Sequence, residues 1–352
     1  MKMNMYMRGF LFFCGLLSFI WGIDSERITV NGFSNVEIEK QIGTSGLGDP
    51  NGSFDGDLDI LLNFQIGEKM RVTGDFSWEH GFDSKESRGG SSLEYTFIEH
   101  TITDMLKIRV GKILTPFGIY NEIHRAKPAY FSVKIPRATI SPIKWEPNAF
   151  VFFPKSGMGI ELFGETVYDR SKGIEYNLFV SNGLQDSSVN PFEKDGNGGK
   201  AITARIRFEV SEGVQIGKSF YIDMPSDTIT ELLFTDGYEL QWMWEGFQLM
   251  TEVVIGNEWQ RDKERRQQIG VFIQPAYSTL SGFTYFARGE FYKSSFKEKK
   301  DYVTLLIGGV LYEISNWYMI KCELDYFRFG DGNSLLPHQN YMEIKASLVL
   351  GF

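Results

Sequence analysis

The chain has 352 residues, with 36 Lys and Arg against 45 Asp and Glu, for a formal net charge of −9. That balance argues against a nucleic-acid-binding protein, which would carry a basic surface. Its two cysteines, Cys14 and Cys322, cannot supply a disulfide framework.

Residues 1–22 read as a secretory signal peptide rather than part of the fold. Lys2 and Arg8 precede an apolar run from Phe10 to Ile20, and Gly22 offers a small residue near the cleavage point. The run is shorter than the ~20 residues that a spanning helix needs, and no later stretch is apolar for long enough. Residues 23–352 then form a single domain of net charge −11, because Lys2 and Arg8 leave and no acid does.

From there, period-two alternation runs along the whole chain. Phe54, Leu58, Ile60, Leu62, Phe64 and Ile66 take one face, while Asp55, Asp57, Asp59, Asn63 and Gln65 take the other. After Gly67-Glu68 the pattern resumes, with Met70, Val72, Phe76 and Trp78 opposed by Arg71, Thr73, Asp75, Ser77 and Glu79. Two long alternating runs around a two-residue turn predict a hairpin. About sixteen such strands are expected, from 30–42 at the start to 341–352 at the end. Short turns such as Gly67-Glu68, Ser211-Glu212, Glu245-Gly246 and Ser315-Asn316 alternate with longer polar loops such as 81–91, 182–199, 257–266 and 330–340.

An even number of strands with loops sorted by length implies an all-β fold, a transmembrane antiparallel barrel of the outer membrane with both ends on the short-turn side. Hydrocarbon leaves no partner for an open sheet edge, so such a sheet must close. The final strand adds a second signal. Met342, Ile344, Ala346, Leu348, Leu350 and Phe352 share the outward register, and a terminal outward aromatic resembles the insertion signal of outer-membrane barrels. Lys218 strains the scheme, because it falls in register with Val214, Ile216, Phe220 and Ile222. Either it snorkels, or Gly217 marks a bulge that shifts the register.

Residues 112–156 break the alternation. They hold six prolines, which remove ladder donors, and eight large aromatics from Phe117 to Phe153 that give the segment material to pack with. Lys112, Arg125, Lys127, Lys134, Arg137, Lys144 and Lys155 face only Glu122 and Glu146 in this stretch. Two readings stand: a basic coat meeting lipopolysaccharide phosphates, or a third extracellular loop folded into the lumen as a positive constriction.

The run Ile108-Arg109-Val110-Gly111-Lys112-Ile113-Leu114-Thr115-Pro116-Phe117-Gly118-Ile119-Tyr120-Asn121-Glu122 resembles the signature of the phosphate-selective porin family, porins O and P. The resemblance implies a sixteen-stranded, trimeric porin barrel with the third loop inside, passing small hydrophilic solutes and extending to anions such as phosphate. The residues expected to line the pore and set selectivity are Arg125, Lys127, Lys134 and Arg137 in mid-loop, with Arg109 and Lys112 on the adjoining wall. A plugged or adhesive barrel without channel activity is the alternative.

No enzyme chemistry is legible, and no cofactor is expected. Asp55-x-Asp57-x-Asp59 departs from a calcium loop, since Ile60 stands where glycine is required. His80, His100, His124 and His338 show no metal-ligand spacing.

Overall fold

A computed structural model of the protein describes residues 27–43, 51–80, 90–124, 126–140, 142, 149–169, 172–184, 199–225, 230–261, 265–296, 299–331, 333, 336 and 339–352. Sixteen strands follow one another in chain order. They are β1 (Ile28–Ile42), β2 (Ser53–Ile66), β3 (Met70–His80), β4 (Gly90–Thr103), β5 (Leu106–Leu114), β6 (Ser156–Asp169), β7 (Lys172–Ser181) and β8 (Ala201–Ser211). The second half comprises β9 (Val214–Asp223), β10 (Thr230–Trp244), β11 (Phe247–Gln260), β12 (Arg266–Ser278), β13 (Phe283–Phe296), β14 (Lys299–Ser315), β15 (Tyr318–Phe329) and β16 (Asn340–Gly351). Each pairs antiparallel with its chain neighbours, and β16 returns to β1 from Phe33↔Gly351 to Ile42↔Met342, closing the barrel. Among the described residues no helix is long and apolar enough to cross a membrane.

Parity explains both faces. On β1, Glu37 is 0% exposed while its neighbours Val36 and Ile38 are 46% and 43% exposed. The charged side chain therefore points into the barrel and the aliphatic ones point out, as a lipid-facing wall requires. Between β10 and β11, Glu245 and Gly246 both have positive φ, 43° and 83°. That two-residue geometry matches the right-handed twist of the flanking strands. Pro275 sits inside β12 on the outward side opposite Leu249. The β12–β13 ladder skips from Ile273↔Gly289 to Ala276↔Phe286 around it, since proline has no amide to donate.

The terminal aromatic takes part in closure. Gly32 and Phe352 exchange backbone hydrogen bonds of 2.9 Å in both directions, and the Phe352 ring faces outward, half exposed. Lys218 also faces outward, because the ladders on both sides of β9 run through Gly217 without a shift. No bulge hides it. Instead its ammonium lies 3.4 Å from Asp236, an outward carboxylate on β10, and 5.1 Å above the Tyr238 ring.

Candidate functional site

The segment between β5 and β6 lies inside the barrel. Its two roots are tied together: Thr115 Oγ1 donates to the Pro154 carbonyl at 2.6 Å, and Asn121 Nδ2 donates to the carbonyls of Thr115 and Lys155. From there its aromatics join the inward face of the wall. Phe117, Phe150, Phe152 and Phe153 form one buried cluster with Tyr221, Leu233, Val254, Ala276, Tyr292 and Phe327. Phe117 and Phe152 are fully buried, each worth roughly 1.5–3 kcal/mol of hydrophobic burial. The wall makes room with glycine. A Cβ on Gly270 would come within 1.8 Å of the Ala138 carbonyl oxygen, and one on Gly237 or Gly256 would strike the rings of Phe117 or Phe150 and Phe152.

Wall carboxylates receive the loop's backbone amides. Ile119 N donates to Glu252 at 2.6 Å, Val133 N to Glu323 at 2.7 Å, and Arg137 N and Ala138 N to Glu290 at 2.8 and 2.9 Å. Wall cations receive its carbonyls. Lys321 Nζ donates to the carbonyls of Lys127, Tyr130 and Ser132, and the Arg288 guanidinium to Ser132 Oγ and the Lys134 carbonyl. These buried backbone groups thus have partners, and each would cost about 1–3 kcal/mol if left without one. The contacts run from β9 round to β15, β1 and β2.

The loop's own cations turn to the same wall. Lys127 Nζ pairs with Glu37 and lies 3.7 Å from Asp57, while Lys134 Nζ pairs with Glu37 and with Glu39 at 2.8 Å. Burial works against both ammonium charges, but Tyr130, Glu37 and Asp57 outweigh it at Lys127, and Glu37 and Glu39 outweigh it at Lys134. Both pKa values are held above the ordinary lysine range. His124 behaves in the opposite sense: burial first, then the nearby Lys155 charge, pushes it down to about 4. Its Nδ1 is 2.6 Å from the Asn121 carbonyl, so the neutral ring carries its proton there.

The opposite wall, β3 to β8, keeps charged side chains in contact with water. Arg71 is paired with Glu99 at 2.8 Å and its side chain is 40% exposed. Arg109 is held between Glu99 at 2.8 Å and Glu161 at 3.1 Å, with its guanidinium 3.9 Å from the Phe163 ring. Arg207 pairs with Glu175, and Glu122 reaches across from the loop to Arg205 at 2.6 Å. The loop and this wall face each other across the barrel interior, which ion pairs line.

Of the six residues expected to line the pore, Arg109 is on the inward face of β5, and Lys127, Lys134 and Arg137 are inside the barrel. Arg137 opens a short helix, Arg137–Ile140, and its backbone amide donates to Glu290. Lys112 does not join them. It shares the register of Ile108 and Val110, the outward side of β5, and its Nζ donates to the Leu93 carbonyl at 2.6 Å. Arg125 lies outside the described residues, as do residues 1–22. Sequence reasoning missed Glu252, Glu99, Glu161 and Glu175, although strand parity alone would have put them inside. Among the described residues no group of His, Cys, Asp and Glu is placed to hold a metal ion.

No family model matches the chain. A relative, an uncharacterised protein of Aquifex aeolicus, is 25% identical over 180 residues, covering 47% of this chain and 38% of that protein. The chain therefore spans well under half of that relative's length. Solved structures are similar in fold over nearly the whole length. OmpF of Salmonella typhi in complex with daunomycin superposes with a TM-score of 0.64 at 10% identity, covering 92% of this chain and 97% of the other. An anion-selective porin of Comamonas acidovorans gives 0.61 at 10% identity, covering 92% and 99%. OmpT of Vibrio cholerae in a trimer form gives 0.60 at 8% identity, covering 92% and 99%. The chain has the fold of an integral outer-membrane β-barrel, and its structural neighbours include porins.

Proposed function

We propose that this protein is a passive outer-membrane channel for small hydrophilic solutes. The observation that carries the reading is the asymmetric lumen. The loop packs along β9 to β15, β1 and β2, and the side chains of Arg71, Glu175 and Glu122 opposite remain 40%, 38% and 34% exposed to solvent. A sixteen-stranded barrel is wide enough to keep an aqueous passage beside such a loop. Liposomes containing the protein should swell in isotonic solutions of small neutral sugars, at rates falling with solute size. Swelling equal to protein-free liposomes, with the barrel folded, would favour the alternative of a plugged or structural barrel, which the loop's many anchors support. Support for passage of anions such as phosphate comes from the sequence resemblance alone.

We also propose a homotrimer. A trimer form exists for the Vibrio cholerae neighbour, and the outer face of this barrel is uneven. At the short-turn ends, outward Tyr168, Tyr176, Trp242, Tyr277, Tyr285 and Tyr312 mark β6, β7, β10, β12, β13 and β14. The corresponding ends of β1 to β5 carry Ile66, Met70, Ile102 and Leu106, with Phe64 on β2 the aromatic among them. Aromatic girdles mark contact with lipid headgroups, so the sector with the sparser girdle suits contact with another copy. Cross-linking in native membranes should yield a three-copy species; a monomer alone would reject the trimer.

A further inference from the structure

We propose that Lys293 and Arg328, on the outer faces of β13 and β15, form a clasp for the phosphates of a bis-phosphorylated glycolipid of the outer leaflet. The inference goes beyond the channel reading and does not depend on the channel being open. It begins from where charge sits on the wall that meets lipid. Among the described residues, the outward register of β12 to β16 and of β1 holds no Asp or Glu. It does hold Lys40, Lys293 and Arg328, each exposed and each near the long-loop end of its strand. Parity fixes the assignment: Lys293 stands between buried Tyr292 and Ser294, and Arg328 between buried Phe327 and Phe329.

Their depth matches that of lipid headgroups. Near the short turns the outward aromatics of these strands are Tyr285 on β13 and Tyr312 on β14. Towards the long loops they are Phe291 on β13, Tyr302 on β14 and Tyr326 on β15. The ten residues from Tyr302 to Tyr312 extend roughly 34 Å along the strand, which a tilt of about 40° reduces to roughly 26 Å of height. An apolar band about 25 Å tall fits between those aromatic rows. Lys293 lies two residues beyond Phe291, and Arg328 two beyond Tyr326. Both charges therefore stand at the outer edge of the band, where the cost of a charge on the lipid face falls away.

Mid-strand Lys218 is met by Asp236 at 3.4 Å, whereas Lys293 and Arg328 have no carboxylate of the described residues within ion-pair distance. Their counter-charge is left to the lipid. Lys293 stands in register with Tyr302, and Arg328 with Thr304. The two cations thus flank β14, two strand spacings apart and offset by two residues, which puts their Cα atoms roughly 12 Å from each other. Outward Tyr302 and Thr304 add hydroxyls between them. Long side chains close that gap onto one bis-phosphorylated head, and the arginine fork suits phosphate. Anionic headgroups are drawn to basic residues at a membrane surface, while a zwitterionic phospholipid would bring its own ammonium against two like charges. The clasp is separate from the basic loop, whose Lys127 and Lys134 turn inward to Glu37. It also lies on strands with the fuller aromatic girdle, away from the face offered to another copy.

The test is lipid retention by the purified protein, folded in detergent and read by native mass spectrometry. The probes are bis-phosphorylated lipid A, its dephosphorylated form and phosphatidylethanolamine. The wild type should retain bis-phosphorylated lipid A at least about tenfold more than either of the others. Lys293→Gln and Arg328→Gln should each lower that retention by about fivefold, and the double variant by roughly twentyfold. Both side chains are exposed and outside the strand ladder, so the variants keep the folded barrel. Equal retention of the three lipids, or variants that hold lipid A as the wild type does, would overturn the clasp and leave the channel reading untouched. Loss of lipid A only together with loss of a three-copy species would reassign the two residues to contact between copies, and would overturn it as well. A barrel that retains lipid A as expected but does not conduct would reject the channel and leave the clasp standing.

Discussion

Glu37→Gln isolates the interaction on which the docked loop depends most. Glu37 is 0% exposed and pairs with both Lys127 and Lys134, while Asn35 Nδ2 donates to it at 2.8 Å. Glutamine keeps the size but removes the charge, leaving two ammonium groups with Glu39 at 2.8 Å and Asp57 at 3.7 Å. Removing one partner of a buried pair costs about 3–5 kcal/mol, whereas replacing the whole network with apolar groups is often neutral. The variant should therefore undock the Lys127–Lys134 stretch while the hydrogen-bonded barrel persists. Limited proteolysis in detergent should cut this stretch at least about tenfold faster, since roughly 1.4 kcal/mol already corresponds to a factor of ten. Single-channel current should grow noisier over the same comparison. Adding Lys127→Met and Lys134→Met to Glu37→Gln should recover part of the protection, because the two buried ammonium groups are then gone and only Glu39 and Asp57 are left short of a partner. If Glu37→Gln is cut at the wild-type rate, or the triple variant is worse than the single one, the ion pairs do not hold the loop.

The neutral, buried His124 predicts a pH dependence with a definite sign. Its folded pKa of about 4 lies below the ordinary histidine value of 6.5, so its contribution is full above pH 6.5 and is lost as pH falls toward 4, by on the order of 3 kcal/mol. Loop protection from protease should weaken over that window in the wild type and stay flat in His124→Gln. Gly270→Leu should prevent seating of the Ala138 turn, because even a Cβ there meets the Ala138 carbonyl at 1.8 Å, and the same protease assay should show the loop released. On the outer face, Asp236→Asn strands Lys218 against lipid and should cost roughly 2–4 kcal/mol of folding stability. Lys218→Met/Asp236→Leu should match or exceed the wild type in urea titration from lipid vesicles, and a double variant as weak as the single one would refute the outward assignment.

The barrel was legible in the sequence because lipid and water impose opposite chemistry on alternate residues. Runs such as Phe54 to Ile66 declare their faces without any tertiary information, and the sixteen strands and the alternation of turns and loops follow from that. The loop's inward course was half legible. Its prolines and aromatics announced a packed segment, and inward glycines at 237, 256 and 270 on three successive strands left a trace of the space it needs. The partners were not legible. Glu37 stands some ninety residues before Lys127 in the chain, and nothing local distinguishes a lysine that meets solute from one that meets a wall carboxylate. Lys112 misled for a simpler reason: it follows Arg109 closely in the chain, yet three residues along a strand change the face. At Lys218 alternation was right against the energetic objection, since Asp236, the counter-charge that eases it, lies on the next strand.

The central claim, that an aqueous passage remains between the docked loop and the β3–β8 wall, is tested most directly by single-channel recording of the purified, folded protein in a planar lipid bilayer. Stepwise, ohmic current increments on insertion are the predicted result. Folded protein incorporated into the bilayer with no increments at any voltage would contradict it.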